Sequence, residues 1–169
     1  AGTVSMVMQH FGGSTTKSDA NTAIAAASTT KKMQQANLEN TMALINFAPF
    51  GTIKCQSNNA QPADVLIQGS ATAHRRARTA QWSYHFYPEE VHTELTLQLP
   101  SAVLLREVHL QPHLGSLATC PSAVALEVSS DGPSRLVPAC PPLPTSGMTF
   151  IRLHLPVPEV VNCIQLRLY

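Results

Sequence analysis

Proline is distributed so unevenly in this 169-residue chain that it limits the fold class by itself. Of its 13 prolines, only Pro49 and Pro62 precede residue 88, and eleven lie from Pro88 onward. A proline inside a helix removes a donor, clashes with the preceding turn and costs about 3 kcal/mol. The second half therefore cannot be helical over any length, whereas the first half can.

From Phe50 onward the apolar residues recur with period two, the signature of half-buried strands. Gly51 to Gln56 and Asp64 to Gln68 are short strand candidates. Trp82-Ser-Tyr-His-Phe-Tyr87 alternates aromatic with polar, and Thr93-Glu-Leu-Thr-Leu-Gln-Leu99 places Leu95, Leu97 and Leu99 on one face. Val103 to Gln111, Ala123 to Ser129, Thr149 to Leu155 and Val160 to Tyr169 continue the pattern, separated by Leu-Pro-Ser, Ser-Asp-Gly-Pro and Pro-Val-Pro turns. Short strands with turn chemistry between them and no intervening helix predict a mainly β, antiparallel, jelly-roll-like sandwich over residues 49–169.

Residues 1–48 read differently. They hold five charged side chains, Lys17, Asp19, Lys31, Lys32 and Glu39, in a background of Ala, Thr, Met, Asn and Gln. Met33, Ala36, Leu38, Met42, Ile45 and Phe47 recur at helical spacing and predict an amphipathic helix from about Lys31 to Phe47. Ser18 or Asp19 can cap an Ala-rich helix over 20–28, and Val4 to Phe11 fits a short turn of helix. The alternative for Gly12 to Thr30 is a flexible linker. The expectation is an N-terminal helical or flexible flank, part of a preceding helical region, joined to a sandwich cut short at its C-terminal end.

Composition narrows the function. Charged residues make up 12% and the net charge is +1, against about 25% charged in an average soluble domain. A binder of duplex DNA through many phosphate contacts is not expected from that balance. No stretch reaches the roughly 20 apolar residues of a membrane span. Cys55, Cys120, Cys140 and Cys163 are too far apart in sequence for the close pairs of a zinc site. They read as free thiols, with one or two disulfides as the alternative, and the absence of an Asn-x-Ser/Thr sequon favours a cytosolic or nuclear setting.

In order along the chain, three segments resemble one cassette. These are His92 to Leu110, Val124-Ala-Leu-Glu-Val-Ser-Ser-Asp-Gly132, and Phe150 to Leu168 with its closing Ile-Gln-Leu-Arg-Leu. Together they resemble the galactose-binding-like domains shared by discoidin, coagulation-factor C-domain and Doc-type modules, over about residues 50–169. Trp82 to Pro112 also resembles an internal module of the giant N-recognin ubiquitin ligases of the pushover, calossin or BIG type, with the BRUCE/Apollon type of giant ubiquitin enzyme as the next candidate. The first resemblance implies a sandwich with ligand-binding loops at one end. The second implies a non-catalytic scaffold and protein-interaction module of an E3 ubiquitin ligase acting in N-degron recognition and protein degradation in cytoplasm and nucleus. It further implies a parent that carries zinc and binds calmodulin and a ubiquitin-conjugating enzyme, and a module contacting other domains of its own chain, substrates or partner subunits. No cofactor is expected in this segment.

Few residues here suggest chemistry of their own. His109 and His113 are four apart, but four residues of strand span about 13 Å, too far for one ion without a turn. His74, His85, His92 and His154 lack an acidic or cysteine partner at chelating spacing, and no nucleophile motif or phosphate loop occurs. No catalytic or metal-ligating residue is expected. Glu89 and Glu90 read as a solvated turn after Pro88. Arg75, Arg76 and Arg78 form the one local charge concentration, suited to an acidic partner or ligand, and a lectin-like domain using them is the alternative function. The competing reading is a solvated arginine loop, or salt bridges from these arginines to Glu89, Glu90 or Glu94. Trp82, Tyr84 and Phe86 read as core, or as packing with the N-terminal helix, rather than as a sugar platform.

Overall fold

The computed structural model describes residues 3–7, 44–57, 62–67 and 81–169, of which 3–7 only as backbone. The chain divides into two units, Ala1–Phe11 with Phe47–Tyr169, and Gly12–Asn46; the elements below belong to the first. Its described strands are β1 (Thr3–Val7), β2 (Thr52–Cys55), β3 (Trp82–His85), β4 (Thr93–Pro112), β5 (Ala123–Ser129), β6 (Val137–Pro144) and β7 (Ile151–Leu168). Their order is β3-β1-β4-β7-β5-β6, with β2 also on β4, and every pairing is antiparallel. The expected mainly β, antiparallel architecture is what the chain forms. No helix among the described residues is long and apolar enough to cross a membrane.

Two long strands do most of the construction. The first half of β4 lies between β2 and the end of β7, with Leu95 opposite Leu166 and Leu97 opposite both Ile53 and Ile164. Its second half lies between β1 and the start of β7, with Val108 opposite Leu153 and Leu110 opposite Ile151. Between the halves the register shifts twice, after Gln98 and after Leu105. Sequence reasoning placed turns at Leu99-Pro-Ser and Pro156-Val-Pro. In the structure these segments are bulges within continuous strands, because each proline removes a ladder donor without forcing the chain to reverse.

The bulges have a second effect. A strand's side chains alternate strictly, so an out-of-register insertion exchanges the two faces. In β4 the buried apolar residues stay odd-numbered through the first shift (Leu95, Leu97, Leu99, Leu105) and become even-numbered after the second (Val108, Leu110). In β7 Ile151, Leu153, Leu155 and Val161 are followed by Ile164, Leu166 and Leu168, with buried Cys163 at the changeover. Both halves thereby point into one core, which also takes Val124, Leu126 and Val128 of β5 and Trp82 and Tyr84 of β3. The aromatic strand is core, as expected. Trp82 and Tyr84 are buried with their rings stacked at 6.1 Å, and Phe86 packs edge-on to Tyr84 from a partly buried position.

Three local expectations are corrected. Of the strand expected over Asp64 to Gln68, the described residues 64–67 are not a strand, since Ala63–Leu66 forms a 3-10 turn. Residues three apart coincide in such a turn, which is how Ala63 and Leu66 both become buried. Val4 to Phe11 does not begin as a turn of helix, because Thr3–Val7 is a strand held by β3, with Val4 opposite Tyr84 and Met6 opposite Trp82. Pairing with a neighbouring strand outweighs a weak local pattern of this kind. The proline-rich segment 137–144, given no element in the sequence reading, is edge strand β6. The helices expected over 20–28 and 31–47 lie outside the described residues apart from 44–47, which are not helical.

Gly132 closes the turn after β5 at φ 74° and ψ −170°, a region essentially restricted to glycine. A Cβ there would meet nothing within 4 Å, so the cost of Gly132→Ala is purely one of backbone conformation. We expect it to lower unfolding stability by about 1–2 kcal/mol, read from a urea titration.

Candidate functional site

The polar side chains of the sheet are organised in pairs of strands. On the second half of β4 and the first half of β7, Glu107 lies opposite His154, and His109 opposite Arg152. Alternation puts all four on the face away from the core. The contact that forms is diagonal: Arg152 donates through Nε to Glu107 Oε2 and through an Nη to Oε1, both at 2.5 Å. His109 Nε2 lies 2.6 Å from Glu107 Oε2, and the His109 ring meets Phe150 edge-on. His154 stands at 3.9 Å from the other carboxylate oxygen. Glu107 itself is buried, and the hydrogen bonds from Arg152, assisted by His109, hold its carboxyl at about 2 against burial.

A second network crosses β4, β7 and β5. Arg167 donates to Glu94 at 2.8 Å and reaches Glu127 at 3.1 Å, while Gln165 donates to the other Glu94 oxygen at 2.8 Å. His92 completes it at 3.3 Å from Glu94 and packs its ring near Tyr169. The bonds to Glu94 are the main reason that the Arg167 guanidinium holds its proton more tightly than usual. These contacts tie three strands together, as cross-strand pairs do elsewhere. Among the described residues no buried side-chain nitrogen or oxygen lacks a hydrogen-bond partner.

The turn after Pro88 is built by one of its two carboxylates. Glu90 accepts from the Tyr87 N–H at 2.9 Å and from the Tyr84 hydroxyl at 2.8 Å. The Tyr87 bond, with that of Tyr84, lowers the Glu90 carboxyl, and burial raises the Tyr84 hydroxyl. Glu89 is exposed, so the adjacent carboxylates do not share a task. Glu90 and Glu94 are thus engaged within the sandwich, the latter by Arg167. Arg75, Arg76 and Arg78 lie outside the described residues.

The histidines sort by strand partner. His109 belongs to Glu107, whereas His113 is 2.7 Å from Gln81. His92 has Glu94 beside it, two residues along the same segment, and His154 has Glu107 across the strand pair, a neighbour that sequence spacing did not reveal. Cys55, Cys120, Cys140 and Cys163 are all free thiols, Cys163 fully buried. Among the described residues no group of three or more His, Cys, Asp or Glu is placed to hold a metal ion.

At one end of the sandwich the turn after β5 meets the β7 bulge in a cleft of about 310 Å³, with Ser129, Asp131, Arg135 and Glu159 in its lining. The Asp131 N–H donates to Ser129 Oγ and the Gly132 N–H to Asn162 Oδ1, each at 3.0 Å, which fixes the rim. Val137 and Val160 line it on the apolar side and are both more than half exposed; Leu104, opposite Val160, extends the exposed apolar surface. The sequence signal for this cleft was the Ser-Asp-Gly-Pro turn. The carboxylate and valine across from it come from the bulge, which local patterning did not expose.

No protein-family model matches the chain. It is 54% identical over 131 residues to a dual E2 ubiquitin-conjugating enzyme/E3 ubiquitin-protein ligase, BIRC6, of Mus musculus, and 53% identical over the same length to that of Homo sapiens. Each match covers 78% of this chain, which spans about 3% of the length of the relatives. Of the two ubiquitin-enzyme resemblances, the BRUCE/Apollon type is the one these relatives fit. Among solved structures, CpGH89CBM32-6 produced by Clostridium perfringens superposes with a TM-score of 0.43 at 10% identity, covering 70% of this chain and 82% of that one.

Proposed function

We propose that this sandwich is a non-catalytic scaffold and protein-interaction module within a giant ubiquitin-conjugating and ligase chain, acting in protein degradation in cytoplasm and nucleus. The observation that carries the reading is the 54% identity over 131 residues to a segment of a dual E2/E3 enzyme. The geometry agrees with it. The charged groups of the sheet are occupied in holding β4, β7 and β5 together, while Leu104, Val137 and Val160 offer apolar surface at the cleft end. Exposed apolar residues grouped beside a polar rim are a feature of protein contact surfaces. The lectin-like alternative has less support, because the lining of the cleft contains no aromatic ring on which a sugar could stack. N-degron recognition, calmodulin and zinc in the parent rest on the N-recognin resemblance alone.

Deleting this segment from a full-length enzyme that carries it tests the reading. We expect ubiquitin still to load onto the conjugating cysteine as a thioester, while transfer to substrate falls and crosslinks between the segment and the rest of the chain disappear. Loss of thioester loading in the folded deletion variant would overturn the non-catalytic role. Unchanged transfer, with no crosslinks from the segment in the intact enzyme, would overturn the scaffold role.

A further inference from the structure

Strand β6, Val137-Pro-Ala-Cys-Pro-Pro-Leu-Pro144, is an unusual edge. It is paired with β5, and it terminates the strand order. Pro138, Pro141 and Pro144 recur at every third residue and all three are exposed, whereas Ala139 is buried and Cys140 and Leu143 pack partly against the core. Exposed prolines thus recur at a spacing of three, with Pro142 exposed as well, whereas an ordinary strand alternates with period two. Three residues per turn is the repeat of the polyproline II helix.

The backbone has little other choice. Proline fixes φ near −65°, and the residue before a proline is driven to β or polyproline II geometry. Of the residues from Val137 to Pro144, only Ala139 is neither a proline nor followed by one. Leu136, which leads into the segment, has φ −73° and ψ 135°, close to the polyproline II values of about −75° and +145°. The pairing with β5 slips twice, with Val124 opposite Leu143 but Leu126 opposite Cys140, so that Pro141 and Pro142 stand outside the register. The far end is pinned by buried Thr145, whose hydroxyl donates to the Pro121 carbonyl at 2.5 Å and whose N–H donates to that of Ser122 at 2.9 Å.

We propose that β6 is a preformed polyproline II ridge that docks a protein domain of the SH3 type, one with an aromatic-lined groove for the prolines and an acidic flank for Arg135. Two features select that partner. With four prolines lacking N–H groups, the edge is poorly suited to accept an added strand, which leaves recognition through side chains. Arg135-Leu-Val-Pro-Ala-Cys-Pro141 sets an exposed cation three residues before the first of two prolines that are themselves three apart, the arrangement that a proline-reading groove with an acidic end complements. Because the ridge is already ordered in the sandwich, docking sacrifices little chain entropy. The inference deepens the interaction-module reading by naming a partner class for one edge. The segment deletion tests the module, and the titration below tests the ridge.

The experiment titrates the 169-residue chain with a purified SH3 domain that selects Arg-x-x-Pro-x-x-Pro ligands, followed by calorimetry and by melting of each variant. Saturable binding is expected, weakened about tenfold by Arg135→Glu and by Pro141→Ala. Should Pro141→Ala melt early, exposed Arg135→Glu carries the comparison. No saturable binding by the unaltered chain, or full affinity in both folded variants, overturns the proposal. So does a WW domain that binds the unaltered and Arg135→Glu chains equally while the SH3 domain binds neither.

Discussion

Trp82→Ala is expected to destabilise the sandwich more than any other single truncation considered, by about 3–5 kcal/mol. The indole is fully buried, stacks on Tyr84, and sits on the strand that also holds β1. Its removal forfeits the transfer energy of the largest side chain in the core and leaves a cavity that stiff β-strand neighbours cannot collapse to fill. Against a total stability of about 5–15 kcal/mol for an ordinary domain, that is a large share. Equilibrium urea unfolding reads the effect as a lower midpoint with the slope retained. A change below about 1 kcal/mol would show that β3 contributes little to the cooperative core.

Glu107→Ala comes second, at about 2–3 kcal/mol. Breaking a buried pair costs about 3–5 kcal/mol, reduced here because the Arg152 side chain is 58% exposed and can return to water. His109, with 15% of its side chain exposed, has less recourse. The same carboxylate gives an acid signature. Arg152 holds Glu107 at about 2 in the folded chain, below its ordinary 4.5. The folded state thus binds fewer protons than the unfolded chain in this range, and stability rises with pH. The contribution is fully present above about 4.5 and is lost as pH falls toward 2. In Glu107→Gln that part of the dependence should vanish, leaving a flatter unfolding midpoint across this window. A curve of unchanged steepness would mean that the ion pair does not govern acid stability.

The strands that could be read from sequence were those whose alternation is uninterrupted. Thr93 to Leu99 and Ala123 to Ser129 each keep one apolar face, so period alone identifies them. Strand β6 was illegible for a definite reason. Proline argues against a central strand, and only knowledge that the segment lies at an edge makes four prolines acceptable. Strand β1 depends on β3 for its conformation, which no local window contains. The Glu107 and Glu94 networks were hidden in a different way. Glu107 and Arg152 each occupy an unremarkable polar position, and what joins them is the antiparallel register across a bulge. That register also brings His154 beside Glu107, whereas His109 and His92 meet carboxylates two residues away in their own segments, a spacing that strand alternation already puts on one side.

The position of β7 also governs when the sandwich can form as the chain emerges from a ribosome. It is the seventh described strand in sequence but lies between β4 and β5, so Thr93 must wait for Leu168 and Val124 must wait for the same residue. Until then β4 and β5 have lost their common neighbour, and the leucines of one half have no lid. Synthesis of residues 151–168 is thus the event that turns two open edges into a closed core, and a nascent chain paused before it exposes the surfaces that invite mispairing.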